Sequence, residues 1–533
     1  MTGALDPAEI PAPTGLRLAA DPGLQWLAGD RVLLGGAPLR LVRLRPGGAR
    51  RARAWAAGEP LGPGRAERML ARRLLDAGLF HPRPSDGPPG GPPGPVAGQV
   101  TIVVPVHDRP EALRRCLAAL RGTAPHSPVI VVDDGSADRL AAVRAAAGVA
   151  ARYVRRDRRG GPAAARNTGL AAATTPYIAF VDSDCVPVGD WLRRLLAHFT
   201  DPAVAAAAPR IVGHEAAGRR GVLARYEETG SSLDMGPRES LVRPAARVPY
   251  VPSATVVVRR AALADATRVA RPRAVGAAFD EVMPVGEDVD LIWRFTASGW
   301  RVRYDPAATV AHEHRTRPYA WFTRRADYGM SAAPLALRHP HVLPAVSMSG
   351  WSAAAWALAA AGRPLAALAL TAAVTTRLAD RLAPTLAAAD PRSEPDARVP
   401  SAAAGAYGAF PLAVRLVGMG TLGAGRLLGS AVTRTWWPVA VPAALAVRRL
   451  RVPVAAAIVG PATADWVGDW RARRRTGTRP PLDPVRYVAV RICDDVAYSI
   501  GVWRGCLRHR TVRPLLPRLW WRQAAGDVGG PAA

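Results

Sequence analysis

Three short stretches of this chain place carboxylates where chemistry could use them. In VVDDGS, Asp133 and Asp134 follow an apolar run and precede a Gly-Ser turn, and in YIAFVDSD, Asp182 and Asp184 close a second apolar run. In an extended segment residues i and i+2 share one side, so Asp182 and Asp184 should lie together and repel unless a cation sits between them. Hard oxygen ligands of this kind suit Mg²⁺ or Mn²⁺ bridging a diphosphate. Turn and helix-cap aspartates are common, so the position at the end of an apolar strand is what favours metal. The third stretch, VGEDVDLIWRFTASGW, predicts a helix from near Gly286 with Glu287 and Asp288 in its first turn. Acids there complement the helix dipole, but a carboxylate facing a pocket can also take the proton of an attacking hydroxyl. Val289, Ile292, Trp293 and Thr296 supply the stripe to be buried, leaving Asp288 and Arg294 away from its centre. Downstream, either His312 or His314 could be a third metal ligand or a phosphate contact. Arg166, on a helix that follows the breaker Gly160-Gly161-Pro162, could pair with a phosphate or a base carbonyl; alone it would be a solvated charge.

The elements that must hold these residues are readable as alternation. Apolar strand candidates at 100–106, 128–134, 151–156 and 177–184 alternate with helical stretches at 110–121, 137–147, 162–172 and 190–199. That pattern predicts a parallel α/β sheet covered on both faces, with ligands beyond the carboxyl ends of its strands. Ahead of it, LRLAADPGLQWL, RVLLGG and LRLVRL read as strands and AERMLARRLLDAGLF as a helix whose Met69, Leu70, Leu74, Leu75 and Leu79 share a face. The division expected is a small α+β module over 1–84, a Pro/Gly linker over 85–98, a catalytic domain over 99–330, and an Ala/Arg-rich, mainly helical region over 331–533.

In order, VVPVHDRP, VVDDGS, the Gly-Gly-x-x-x-x-Arg-Asn segment, VDSD and GEDVDLIWR resemble the family 2 inverting glycosyltransferases of the Rossmann-like GT-A fold. The resemblance implies that Pro105 and Asp133 or Asp134 cradle the base and ribose of a nucleotide sugar, with Arg166 and Asp182 assisting. It implies Asp184, with Asp182 and His312, for the divalent metal, Asp288 for the catalytic base and Glu287 for an acceptor contact. A Q-x-x-R-W motif, usual in processive members, is absent, so no polysaccharide synthase with its own channel is inferred. Residues 33–82 are similar to the small winged-helix peptide-recognition modules of peptide-derived cofactor pathways. Such a module fused to a family 2 transferase looks like the glycosyltransferases of the mycofactocin system, which implies a peptide-derived redox cofactor, premycofactocin, as acceptor and β-linked glucose from UDP-glucose as product. A cell-envelope rhamnosyl or galactofuranosyl transferase acting on a lipid-linked glycan is the rival enzyme; it needs no module over 1–84.

Composition bounds the remainder. At 533 residues the chain exceeds a single core, and its net charge of +29 comes from 71 basic residues, every one arginine, against 42 acids. All-arginine usage alongside abundant Ala, Gly and Pro points to a coding bias. The runs 471–475 and 155–159 have few aromatics near them, so a nucleic-acid-binding role is not expected. Four cysteines without a C-x-x-C pair fit a reducing cytosol better than a disulfide scaffold, and the first residues show no basic n-region or apolar h-region. From Ser331 onward 25 arginines face 10 acids and are interleaved with Trp436-Trp437 and Trp520-Trp521, a pattern that suits attachment to an anionic membrane surface on its inner face. Only 341–362 approaches bilayer length, and its Pro and Ser residues argue against a span; an Ala-rich helical bundle is the bland alternative.

Overall fold

The computed structural model describes residues 7–84, 94–148, 151–214, 221–269, 278–314, 316–389, 401–475, 477 and 482–521. The chain forms two compact units, Met1–Arg315 and Thr316–Ala533.

The first unit opens with five short strands, β1 (Arg17–Ala20), β2 (Gln25–Leu27), β3 (Val32–Gly35), β4 (Arg40–Arg43) and β5 (Phe80–Arg83), and two helices, α1 (Pro46–Ala56) and α2 (Arg65–Asp76). β2, β3 and β4 form an antiparallel sheet, and β1 pairs with β5. Leu18, Leu33, Trp55, Leu74, Leu79 and Phe80 make its core. α1 was not anticipated because it begins Pro-Gly-Gly and buries only Ala49, Ala52 and Trp55; proline in the first turn is compatible with a helix start. Leu79 lies beyond the end of α2, in the turn into β5. The expected 85–98 linker falls largely outside the described residues.

This module is fastened to the sheet behind it. Buried Arg72 of α2 donates both terminal nitrogens to Asp201 at 2.8 Å, and Asp76 accepts from Arg301 at 2.7 Å. Because burial of either charge alone is costly, each pair constrains how the module sits.

The sheet itself contains β6 (Val100–Val106), β7 (Val129–Asp133), β8 (Arg152–Arg155), β9 (Tyr177–Val181), β10 (Cys185–Val188), β11 (Val204–His214), β12 (Ser240–Val242), β13 (Thr255–Arg259) and β14 (Arg301–Glu313). Its order is β10-β14-β11-β13-β9-β6-β7-β8, with β12 on β14. β9, β6, β7 and β8 are parallel, while β13 enters antiparallel between β9 and β11. The helices are α3 (Pro110–Thr123), α4 (Arg139–Ala147), α5 (Gly161–Ala172), α6 (Trp191–Ala197), α7 (Val222–Gly230), α8 (Arg260–Val269) and α9 (Glu287–Ala297). This is the expected α/β GT-A architecture, built where apolar runs such as VTIVVPV are buried on both faces. α5 lies close on the sheet at Gly169, where a Cβ would stand 2.2 Å from a Val103 methyl carbon.

The second unit holds α10 (Pro318–Met330), α11 (Ala332–Arg338), α12 (Gly350–Ala360), α13 (Pro364–Ala387), α14 (Ser401–Ala431), α15 (Trp437–Ala446), α16 (Arg451–Arg475) and α17 (Pro484–Arg508). Two short parallel strands, β15 (Ser347–Ser349) and β16 (Arg518–Trp520), join its ends. The stretch 341–362, the one apolar run in the sequence that approaches bilayer length, is divided between β15 and the 11-residue α12. Among the described residues no helix is long and apolar enough to cross a membrane.

Candidate active site

Every carboxylate singled out from the sequence falls at one end of the parallel strands. β6 and β7 run in register, with Pro105 opposite Val132 and Val106 opposite Asp133, so Pro105 and the Asp133-Asp134 pair sit side by side. Both aspartates are buried and engaged by protein donors. Asp133 accepts from the Ser136 amide at 2.8 Å, from Arg155 at 2.6 Å and from the Tyr153 hydroxyl. Burial works to raise its pKa, yet those bonds hold it below the ordinary carboxylate range. Asp134 accepts from Arg156 at 2.9 Å and from the amides of Gly160 and Gly161 at 2.9 and 2.7 Å. It thereby fixes the glycine turn from which α5 starts and, through α5, the position of Arg166.

Asp182 and Asp184 depart from expectation. β9 ends at Val181, and Asp182, Ser183 and Asp184 form a turn before β10, and the two carboxylates take different protein partners. Asp182 accepts from Arg166 at 2.7 Å. Asp184 is paired with Arg109 and lies 3.4 Å from His312 Nε2. Burial opposes its ionisation, but His312 and Arg109 hold it well below the usual range. Burial likewise opposes charge on His312, and Asp184 outweighs it, raising the imidazole above its ordinary value.

Among the described residues no three His, Cys, Asp or Glu side chains converge as a ready-made metal cage. The Asp184–His312 pair nonetheless suits a divalent cation that takes its remaining ligands from a diphosphate: a carboxylate and an imidazole adjoin, His312 Nδ1 is buried without a partner, and the Arg109 guanidinium sits on the carboxylate as a positive stand-in. Asp182, which accepts from Arg166, stands near enough to His312 to help raise the imidazole.

Arg166 is the joint of the site. It is 3% exposed, donates to Glu287 Oε1 at 2.7 Å as well as to Asp182, and lies over the Phe279 ring at 5.5 Å. Burial disfavours its charge, but Asp182 and Glu287 together raise its pKa. A single side chain thus links the turn after β9 to the start of α9. Asn167 beside it donates to the Phe279 carbonyl and accepts from the Phe279 amide at 2.8 and 3.0 Å, anchoring the segment before α9.

α9 begins after Gly286, whose φ of +87° is one that glycine adopts without strain. Glu287 is 5% exposed; burial, aided by the Asp288 carboxylate, pushes it up to about 7 despite Arg166. Asp288 is the more open of the two. Its Oδ2 accepts from the Ser253 amide at 3.0 Å and hydroxyl at 3.3 Å, and its Oδ1 from the Val289 amide at 2.8 Å. Arg294 proves buried, paired with Asp290 at 2.9 Å and donating to the Ala266 and Ala278 carbonyls; a polar network within the helix's covered face is invisible to a hydrophobic periodicity.

Sequence reasoning missed Arg109 and Ser253. Arg109 could have been found, since HDRP directly follows β6 and its arginine immediately precedes α3 at the ligand-bearing sheet end. Nothing about Ser253 distinguishes it from any serine near a proline.

The model of glycosyl transferase family 2 matches residues 101–263. A pre-mycofactocin glycosyltransferase from Mycobacterium tuberculosis is 40% identical over 520 residues, covering 95% of this chain and 98% of that one. The chain belongs to the family 2 glycosyltransferases. The succinoglycan biosynthesis protein ExoO of Rhizobium meliloti is 31% identical over 223 residues, 40% of this chain and 61% of that protein. Among solved structures, the mannosyltransferase PcManGT of Pyrobaculum calidifontis, in complex with GDP-Man and Mn²⁺, is 21% identical and covers 61% of this chain and 87% of its own, with a TM-score of 0.34.

Proposed function

We propose that this glycosyltransferase inverts configuration, depends on a divalent metal, and moves glucose from UDP-glucose onto premycofactocin, a peptide-derived redox cofactor, as β-linked units. The observation that carries the catalytic part is the pair of stations joined by Arg166: Asp184 and His312 beside Asp182, and Asp288 beside Glu287. The acceptor assignment is supported by likeness to the mycobacterial enzyme over nearly the whole chain, residues before the catalytic sheet included.

Asp288 accepts the proton of an acceptor hydroxyl as that oxygen attacks the anomeric carbon from the face opposite the leaving diphosphate. Ser253 keeps the carboxylate aimed by donating to one of its oxygens. Glu287, tied to Arg166, orients the start of α9 and lines the acceptor side. Asp184 and His312 would hold Mg²⁺ or Mn²⁺, which, when bound, offsets charge developing on the diphosphate. Arg109, beside Asp184, is placed to meet a phosphate oxygen, while Pro105 and the rim fixed by Asp133 and Asp134 face the nucleoside. Residues 1–84 serve acceptor recognition.

We also propose that the 331–533 region rests on the inner face of an anionic membrane. Val439, Leu445, Val447 and Val452 are exposed beside Arg448, Arg449 and Arg451, the pairing of apolar side chains and cations that interfacial helices present. Sedimentation with phosphatidylglycerol vesicles but not phosphatidylcholine vesicles is the expected result; equal sedimentation would refute it. The transferase reading is tested by mass spectrometry of products from a panel of nucleotide sugars and acceptors, with hexose added to premycofactocin from UDP-glucose as the outcome required.

A further inference from the structure

The N-terminal module meets the catalytic sheet through a buried line of three side chains, Asp21, His81 and Arg303. His81 of β5 is the only histidine in residues 1–84 and is 2% exposed. Its Nε2 stands 2.9 Å from Asp21 Oδ2, and its Nδ1 stands 3.4 Å from a terminal nitrogen of Arg303 on β14. These partners select the tautomer: the carboxylate needs a donor, so the hydrogen sits on Nε2, and the guanidinium offers donors alone, so Nδ1 keeps its lone pair. Arg303 is 4% exposed, and its Nε is buried without a partner. Glu239, Asp201, Asp305 and Asp76 act on it by charge from further off, and among the described residues the neutral imidazole is the one side chain that accepts its hydrogen bond.

Other charges face the same ring. Asp21 also accepts from Arg247 at 3.1 Å and from the Gly23 amide at 2.8 Å, and Glu239, just before β12, is paired with Arg83 of β5 at 2.6 Å. Burial opposes charge on His81, Asp21 favours it and Arg303 opposes it, and the balance holds the imidazole below its ordinary value. A second proton would sit on Nδ1 and replace a hydrogen bond by two facing cations. The other fastenings of module to sheet, Arg72 to Asp201 and Arg301 to Asp76, are arginine–carboxylate pairs. This one runs through the side chain that ordinarily titrates between about pH 5 and 8.

We propose that His81 is an acid-released latch between the module and the catalytic sheet: neutral, it joins Asp21 to Arg303, and a proton on Nδ1 parts them. A His81 freed from the seam takes up that proton near its ordinary pKa of about 6.5, while the docked imidazole resists it. The docked state therefore keeps its full advantage above that pH and loses it progressively as pH falls through and below it. The latch governs whether residues 17–24 and 79–83 stay seated on β14, whatever acceptor the module serves.

Two measurements on the full chain test this. Nuclear magnetic resonance of histidine-labelled protein should find one imidazole, identified by its loss in His81→Gln, that titrates below the ordinary value. In Arg303→Met the same imidazole should titrate above it, because Asp21 is then the charge that adjoins the ring. Hydrogen exchange at pH 7.5 and 5.5, corrected for intrinsic rates, should show amides of 17–24 and 79–83 opening up to about tenfold more often at pH 5.5, the factor that a group free to titrate near 6.5 supplies over that interval. Amides of β6 and β7 should not follow. The acid response should vanish in His81→Gln, whose amide can still donate to Asp21 but does not titrate. It should persist in His198→Gln, since that histidine borders the same small cavity as Arg303 but is bonded to Asp305. A wild-type His81 that titrates at or above its ordinary value, a titration unmoved by Arg303→Met, no acid loosening, loosening retained in His81→Gln or lost in His198→Gln, or loosening spread equally over β6 and β7 would each overturn the proposal.

Discussion

Replacing Arg166 with methionine is the sharpest perturbation of the joint between the two stations. The change leaves the aliphatic volume against Phe279 but removes the counter-ion of Glu287, which is 5% exposed, and of Asp182. Breaking a buried pair from one side costs about 3–5 kcal/mol. The size depends on pH in a defined direction. Glu287 titrates near 7 with Arg166 present, and loss of the guanidinium raises it further, so above pH 7 the variant keeps a proton that the wild type has released. The native variant therefore loses stability relative to wild type as pH rises, at about 1.4 kcal/mol per pH unit until its own Glu287 ionises. Below pH 6 both forms are largely protonated at Glu287 and the penalty is smallest. Native-state hydrogen exchange of α5 and α9 amides at pH 6 and 8, corrected for intrinsic rates, reads this locally. Adding Glu287→Gln should remove the pH-dependent part. A loss below about 1 kcal/mol at pH 8, far under the cost of stranding a buried charge, or a loss equal at both pH values, would refute the assignment of Arg166 as the counter-ion.

Asp288→Asn should lower turnover by about 10²–10⁴-fold, the usual contribution of a general base, with donor affinity retained. The amide can still accept from Ser253, and its NH₂ opposes the Val289 amide at a cost of about 1–3 kcal/mol; a turnover loss under tenfold in single-turnover assays would remove Asp288 as base. Asp184→Asn should weaken Mn²⁺ binding about 10–100-fold, scaling from outer-shell losses, as read by electron paramagnetic resonance of free Mn²⁺ in the presence of UDP; unchanged affinity would place the cation elsewhere. Arg72→Met should destabilise the first unit by about 3–5 kcal/mol by stranding Asp201, measured by hydrogen exchange in β11; a neutral effect would mean that the module is not fastened there.

The parallel half of the sheet was legible because its strands are buried on both faces and so appear as unbroken apolar runs, and because strand, turn and helix signals alternate at short range. Asp133, Asp134, Asp182 and Asp184 were legible for the same reason, since they follow such runs, whereas Glu287 and Asp288 were legible as acids at a helix start. What escaped depends on contacts distant in sequence. Arg72 and Asp201 meet across 129 positions and Arg166 and Glu287 across 121, and no local pattern pairs them. The turn at Asp182–Asp184 escaped because the strand periodicity reads on past Val181, where the chain already turns. α1 was hidden by its Pro-Gly-Gly start, and in the second unit an Ala-rich stretch of span length is cut by a short strand, a break that hydropathy averages away.

The central claim is tested most directly by the anomeric configuration of the product. Purified chain, UDP-α-glucose, Mg²⁺ or Mn²⁺ and premycofactocin should yield a glucoside whose anomeric proton, by nuclear magnetic resonance, is that of a β linkage. An α-linked product would contradict the single displacement assigned to Asp288, and no transfer to that acceptor while another is glucosylated would contradict the proposed substrate.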